Sequence, residues 1–468
     1  MMATYDLVIV GGGAGAFAAA IRADELGAKT ALVNSGLPLG GTCVNVGCVP
    51  SKALLWAGEI AHAARHHGVP GIEIDSPRVD FATLVRDELA LVDRLRAEKY
   101  EHVLAGLRRV THIEGKGRFV SPREIEVNGG RVKGAKFIIA TGSTATVPPI
   151  DGLATAGFIT HIEALRLERP PATLLVIGAG ALGLEFAQLF ARFGTQVTVL
   201  QRGATIFPRT EPRLARRLME VLARENITVV TDAAVRSVEC GGGRKRASYE
   251  ADGATRGIVV DEILLAAGKT PNTSGLGLRS AGVRSDGRGA IRVDSTFRTS
   301  EPDIFAVGDV AALPMRLEIT AAREGTLAAE NALQRSARTL DYDTVPYTVF
   351  TDPQLAGAGL TEDAQLQRLG ACECRTLSFE AVPKAIIMRR TEGLIKMTVH
   401  PQTKQVMGVH ILAPQAGELA AQAALIVGRG LTLHEVADSL PMFPTLSEAI
   451  KLVAMSFTHD VSKMSCCV

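Results

Sequence analysis

The sequence has no surplus of either charge: 51 Lys and Arg stand against 49 Asp and Glu in 468 residues. That balance removes the electrostatic argument for a nucleic acid or an anionic lipid surface as partner. It also has no uninterrupted apolar run of ~18 residues, so a membrane span is not expected. The apolar opening YDLVIVGGGAGAFAAAI lacks the basic leader of a secretory signal and carries Asp6 and a cluster of glycines, which are features of a strand and a turn. Cysteine is scarce. Seven in so long a chain do not form a secreted disulfide framework, and the odd count fits a reducing compartment with a few reactive thiols. A cytoplasmic protein is expected. The basic run Arg244, Lys245, Arg246 follows three glycines and is expected in a solvated hairpin loop. At ~150 residues per domain, the length allows about three domains with sizeable cores.

What is present is an internal repeat. DLVIVGGGAGAFAAAIRADELGAKTALVN and TLLVIGAGALGLEFAQLFARFGTQVTVLQ align so that Gly11 matches Gly178, Gly27 matches Gly194, and Asn34 matches Gln201. Both copies have the pattern strand, Gly-rich turn, helix, Gly C-cap, strand. Such a turn cradles phosphate: missing side chains let the backbone approach, and helix N-terminal amides point at the ligand. One motif is weak evidence, but two copies, each followed by a second strand, predict two dinucleotide sites. The first copy has Gly11, Gly13 and Gly15, with Ala16 at the third glycine position of the fingerprint; the second is complete as Gly178, Gly180 and Gly183. A carboxylate closing the second strand accepts from a ribose 2′-hydroxyl and repels a 2′-phosphate. The second copy ends in Gln201 and Arg202 with no acid, which favours NADPH; the first ends in Asn34, whose amide can still bond a flavin nucleotide's ribose.

Three further apolar strands run into Gly turns: FIIATGS, with Thr141 and Gly142; ILLAAGKTPN, with Gly268; and DIFAVGDV, with Asp309 placed to bind a ribityl hydroxyl. From about Val345 the pattern changes to alternating strands, YTVFTDP and LIKMTVH, with helices near 416–429 and 446–456, suggesting a separate α+β domain.

Between the first cradle and the rest of its domain lies GGTCVNVGCVPSK, with Gly41, Thr42, Cys43, Cys48 and Lys52. In an ideal helix, cysteines five apart lie ~140° apart in azimuth and ~7.5 Å along the axis. A bridge therefore needs a distorted first turn, which Gly47 and Pro50 could supply. Thiols near a helix N-terminus are expected to have depressed pKa values.

With these residues the chain resembles the pyridine nucleotide disulfide oxidoreductases of class I, the family of glutathione reductase and lipoamide dehydrogenase. The resemblance implies an α/β fold with two Rossmann-like dinucleotide-binding domains, glutathione reductase-like, plus a C-terminal α+β dimerisation domain. Its parts would be an FAD-binding domain over residues 1–150 and 271–343, an NADPH-binding domain over 151–270, and an interface domain with a cysteine tail over 344–468. A homodimer with active sites shared between subunits is implied. So are roles for Cys48 as the flavin-facing thiolate, Cys43 as the interchange thiol, and Lys52 with Glu185 as a pair near the flavin N5.

Disulfide reductases of this family carry HPT..SE near the C-terminus, where the His protonates the leaving thiolate. Here the stretch is MFPTLSEAI: Pro444, Thr445 and Glu448 remain, but Phe443 takes the histidine position. A leaving thiolate of pKa ~8.5 gains ~10² to 10⁴ in rate from a positioned acid, so the chain is expected to reduce disulfides poorly. A soft metal ion held by thiols needs electrons and no proton. The chain ends in SKMSCCV, with Cys466 and Cys467 adjacent. Neighbouring Cα atoms lie ~3.8 Å apart, short of the ~4.4 to 6.8 Å of ordinary disulfides, so these are expected to be free thiols.

The redox stretch, the missing His and the terminal Cys pair together resemble the mercuric reductases, a branch of the family. In that branch the tail cysteines of one subunit pass Hg(II) to the redox pair of the other. The resemblance implies Cys466 and Cys467 as the capture pair for Hg(II)-thiol complexes, and Cys43 and Cys48 as the pair on which Hg(II) is reduced. It also matches Tyr100 to a tyrosine near the mercury site, and leaves Phe443 where a second is often found. Members often begin with a small CxxC metal-binding domain; here the flavin cradle starts at once, so a core form or a removed prefix is expected. The alternative is an FAD-dependent NADPH disulfide reductase of the thioredoxin, glutathione or lipoamide reductase type, and a third reading is a mercury scavenger without turnover. Cys372 and Cys374 would share one strand face, yet two ligands do not define a site, and a structural role or an accidental pairing is expected. Cys240 in a loop-like stretch gets no role; His62, His66 and His67 are expected on a solvated face, and His434 and His459 as surface or core residues.

Overall fold

The computed structural model describes residues 4–208 and 210–465. It divides into two compact units: Met1–Ala53, Val85–Thr146 and Gly268–Tyr342 in the first, and Leu54–Leu84, Val147–Ala267 and Asp343–Val468 in the second. Among the described residues no helix is long and apolar enough to cross a membrane.

The first unit is built on a parallel sheet in which Thr4–Val10 is flanked by Thr30–Asn34 and by Gly130–Ile139, with Val110–Glu114 beyond. The far side of Gly130–Ile139 is shared: its first half pairs antiparallel with Glu124–Val127, its end parallel with Ile304–Ala306. Apolar residues on both faces explain why these strands read as continuous hydrophobic runs. Leu7, Ile9, Leu32 and Ile138 pack with Ala16, Ala19 and Ala20 of helix Ala14–Glu25 and with Leu327 and Ala328 of helix Glu318–Gln334. The alternate residues Val8, Val10, Ala31, Phe137 and Ile139 pack on the other face with Phe119, Ile125 and Ile291. A period of two thus divides one strand between two cores.

The second unit holds a four-stranded parallel sheet in the order Ile227–Val230, Gln196–Leu200, Thr173–Ile177, Glu262–Leu265. It also holds an antiparallel sheet of Ala234–Gly241, Arg244–Ala251 and Ala254–Val260, and a five-stranded one in the order Tyr347–Val349, Gln354–Gly359, Val406–Ala413, Leu394–Val399, Glu373–Ser378. Helices Ala416–Gly428 and Glu448–Met455 lie where the sequence pattern places them. The basic run differs from expectation. The hairpin turns at Gly242 and Gly243, both at positive φ, and Arg244, Lys245 and Arg246 open the return strand, where Lys245 pairs with Glu262. Cys240 likewise lies in a strand, exposed.

A buried ion network ties helix Ala181–Arg192 to the chain ahead of Gln354. Arg192 Nε donates to Glu225 at 2.8 Å and its Nη2 to the Asp352 carboxylate at 2.9 Å, while Arg390 binds the other Asp352 oxygen. Gln188 Nε2 donates to Glu225 and to Asp352 O, both at 2.8 Å. His62, expected on a solvated face, is half-buried with Nδ1 3.8 Å from Glu225, and burial holds its pKa below the usual value. Burial alone would push the Asp352 carboxyl up, but Arg390 and Arg192 hold it below the ordinary range.

Removing one partner of a buried ion pair strands the other, so Arg192→Leu should cost about 3 to 5 kcal/mol. The check is the denaturant midpoint at unchanged slope. Because the folded pKa of Asp352 is depressed, its contribution is complete above ~4 and is lost as pH falls through the folded value. The gap between wild type and variant should therefore narrow on acidification; equal midpoints at neutral pH would refute a stabilising role.

Candidate functional site

In the first unit, strand Thr4–Val10 ends at the Gly-rich turn. Gly11, with φ +133°, lies on the Ala140 carbonyl; Gly13 is the N-cap of helix Ala14–Glu25, with no side chain capping it; Gly15 and the fully buried Ala16 form the first helical turn. Amides of an uncapped first turn are donors for an anion. Asn34 lies against Gly12 and donates Nδ2 to Leu37 O at 3.0 Å, which leaves its Oδ1 as the acceptor for a ribose hydroxyl. The turn therefore fits the pyrophosphate and ribose of a dinucleotide.

The redox stretch rests directly on this turn. Gly41 has φ +62°, and a Cβ there would lie 2.7 Å from Gly13 Cα, so the two backbones touch. Gly40 N donates to Gly12 O at 2.8 Å. Asn45, buried, fastens the loop by donating to Pro38 O, Leu39 O and Gly41 O at 3.2, 3.1 and 2.8 Å, and it accepts from Arg96 Nη1 at 3.2 Å. The sequence expectation of a distorted turn is met by a full break. A short helix Gly41–Val46 carries Thr42 and Cys43, Gly47 interrupts, and Cys48 is the first residue of helix Cys48–His66. A Cβ on Gly47 would lie 2.8 Å from Thr42 O, so only glycine fits this break.

The break brings Cys43 and Cys48 within hydrogen-bond reach of each other. The Cys43 pKa is raised, contrary to the expected depression. The bond to Cys48 is the largest cause, followed by burial and by the negative charge of Cys48 and Glu318; Lys52 offsets part of it. Tyr100 lies on a π-helical turn, Ala97–Glu101, with its ring over Gly40 and edge-on to Phe17 at 4.9 Å. Its hydroxyl pKa is pushed up to about 12, first by burial and then by Cys43, Glu318 and Cys48. Glu318, at the start of helix Glu318–Gln334, was not singled out in the sequence; it comes from far along the chain to face these thiols.

The remaining predicted flavin residues converge in the same unit. Thr141 Oγ1 donates to Asn272 O at 2.8 Å, and Asn272 Nδ2 returns a bond to Thr141 O at 2.9 Å, which fixes the turn at Gly142. Ser143 Oγ donates to Asp309 Oδ2 at 2.6 Å. Asp309 lies in the turn Gly308–Val310, whose Gly308 N donates to the fully buried Glu324 at 2.7 Å; Tyr342 OH donates to the other Glu324 oxygen. Burial raises the Glu324 pKa. Gly268 accepts from Thr146 N at 2.9 Å, and its neighbour Lys269 is held below the ordinary lysine range by burial, against the pull of Asp309.

In the second unit, Gly178 (φ +109°) lies on Ala266 O, Gly183 lies on Gly178 O, and Gly180 is the uncapped N-cap of helix Ala181–Arg192, with open space where a Cβ would be. This cradle also fits a pyrophosphate. Gln201 differs from expectation: its Oε1 accepts from Ala179 N at 3.1 Å and its Nε2 donates to Thr205 O at 3.2 Å, so it braces the glycine turn, and Arg202 is the exposed cation. Glu185 is buried, its Oε1 accepting from Phe350 N at 2.9 Å. Phe443 is exposed, as is its neighbour Met442, and the Glu448 carboxylate accepts from Thr445 N at 3.1 Å. Cys466 and Cys467 lie outside the described residues.

The sequence matches the family described as pyridine nucleotide-disulphide oxidoreductase over residues 5–333, and its dimerisation domain over 345–454. It is 42% identical to a mercuric reductase of Streptomyces lividans over 99% of this chain and 98% of that protein. To a mercuric reductase of Staphylococcus aureus it is 37% identical, over 99% of this chain and 84% of the relative. Among solved structures, the HOCl-induced flavoprotein disulfide reductase RclA of Escherichia coli superposes with a TM-score of 0.84 at 27% identity, over 96% of this chain and 99% of that one. Two glycine cradles, a thiol pair seated on the first, and matches along nearly the whole sequence place the chain in the pyridine nucleotide-disulphide oxidoreductase family, whose members use FAD and NAD(P)H.

Proposed function

We propose that this protein is an NADPH-dependent flavoprotein reductase that converts thiol-bound Hg(II) to Hg(0), a mercury detoxification enzyme of the cytoplasm. One observation carries the choice of substrate: a hydrogen-bonded redox dithiol is retained while Phe443 replaces the proton donor that disulfide reduction needs. The names of the relatives support it. Glu448, which would orient a histidine, instead accepts from the Thr445 amide.

Bound FAD would supply an electron pair taken from the nicotinamide. The first cradle, Asn34, Thr141, Gly142 and Asp309 would hold it, with Lys52 and Glu185 assigned to its reactive end by resemblance; the second cradle with Arg202 would hold NADPH. Cys43 and Cys48 exchange onto Hg(II), displacing its carrier thiols, which leave with the two protons the pair gives up. Two electrons then convert the bound ion to Hg(0) and return both sulfurs as thiolates. No sulfur–sulfur bond breaks, so no leaving thiolate awaits a proton at Phe443. Tyr100, neutral at working pH, offers its hydroxyl beside the pair. Cys466 and Cys467 would collect Hg(II) from bulky thiols and hand it to the pair of the partner subunit in a homodimer.

Reduced-nicotinamide consumption should be fast with Hg(II) plus excess small thiol and slower by about 10² to 10⁴ with oxidised glutathione, lipoamide or thioredoxin, the range a missing general acid sets. Consumption with disulfides alone would overturn the reading, and consumption with neither would favour a scavenger. Tyr100→Phe should lower kcat with Hg(II) about tenfold, the loss of one hydrogen bond worth ~1.4 kcal/mol. With Tyr100 titrating near 12, neither enzyme should show a tyrosine step in kcat below pH ~11. A tyrosine ionisation near pH ~9 to 10 would contradict that placement. Replacing Cys466 and Cys467 by Ala should spare flavin reduction by NADPH but impair turnover of Hg(II) presented on bulky thiols; unchanged turnover would make the tail incidental.

A further inference from the structure

A second thiol pair lies in the second unit, at the edge strand of the five-stranded sheet. Cys372 immediately precedes strand Glu373–Ser378, and Cys374 lies within it, opposite Thr398 of Leu394–Val399. Both thiols are part-exposed and hydrogen-bond to each other. The Glu362 carboxylate, on the first residue of helix Glu362–Leu369, accepts from Cys374 and binds the Lys396 ammonium, which also donates to the buried Glu211 at 2.7 Å. Glu362 N donates to Glu211 Oε1 at 2.7 Å, so the carboxylate beside the thiols is anchored to the core.

From this cluster we infer that Cys372 and Cys374 form a binding clip for a two-coordinate, thiophilic dication, of which Hg(II) delivered on small thiols is the form at hand. The choice of ion rests on the preceding reading; the pairing of the sulfurs does not. Among the described residues no group of three or more His, Cys, Asp and Glu is arranged around a metal position, which argues against a tetrahedral zinc site. Paired thiolates without further ligands suit a softer ion of lower coordination number. Burial, then Cys374 and Glu362, push the Cys372 thiol up to about 12. Exchange is balanced: two protein thiols bind Hg(II), two carrier thiolates leave and take up the protons, and nothing is oxidised. Spacing alone placed both cysteines on one strand face, but Glu362, which comes from a separate helix, could not be read from it.

The test uses the holoenzyme without pyridine nucleotide, treated with Hg(II) in excess glutathione and then with an alkylating agent, followed by peptide mass mapping. Alkylation of Cys372 and Cys374 should fall by about tenfold, as expected of a site nine-tenths occupied. Cys240, exposed and lacking a thiol neighbour in its strand, serves as reference. The Cys372→Ser, Cys374→Ser double variant should retain about one Hg(II) fewer per chain than wild type. Equal alkylation with and without Hg(II) overturns the inference, and the wild-type mapping stands even if the variant fails to fold. Reduced-nicotinamide consumption on the same preparation tests the catalytic reading separately, so either idea can fail alone.

Discussion

The first unit depends on one contact, the backbone of Gly41 against that of Gly13. No side chain fits between them, because a single methyl on Gly41 would lie 2.7 Å from Gly13 Cα. That approach couples two functions of different chemistry. The turn whose uncapped amides fit a pyrophosphate also carries the helix bearing Cys43, and the break at Gly47 then folds Cys48 back to its partner. Asn45 locks the arrangement by sharing the two hydrogens of Nδ2 among three carbonyls, a modest net contribution but costly to leave unmade in a buried loop.

Electrostatics around the pair follow from that placement. Cys43 is hydrogen-bonded, part-buried and faced by Glu318, with Lys52 as the opposing charge. A dithiol paired in this way suits ligand exchange, in which its protons leave with the carrier thiols. It suits disulfide cleavage less well without an external acid, and at position 443 the chain has a phenyl ring. Glu448 has no imidazole next to it in sequence and serves the amide of Thr445.

The cradles, the redox stretch and the strands that carry them were legible in the sequence because their signals are local: glycine spacing, apolar runs and a five-residue cysteine interval. What escaped depends on partners distant in the chain. Glu324 reaches Gly308, Glu318 reaches the thiols, and the Arg192 network joins Glu225, Asp352 and Arg390, none of which a motif announces. Gln201 shows a subtler failure. Its position at the strand end was recognised, but its amide is engaged by Ala179 and Thr205 and braces the glycine turn. The basic triplet at Arg244 was placed in a loop because charge suggests solvent, whereas Gly242 and Gly243 complete the turn before it and Glu262 provides a partner in the strand region.

In the proposed reaction, nicotinamide electrons arrive at the Cys43–Cys48 pair. The most direct measurement counts alkylatable thiols per chain in the air-oxidised holoenzyme and again after anaerobic NADPH, with the sites mapped by mass. About two additional thiols should appear, at Cys43 and Cys48, the yield of one disulfide accepting one electron pair. No increase, or an increase at other cysteines, would contradict it.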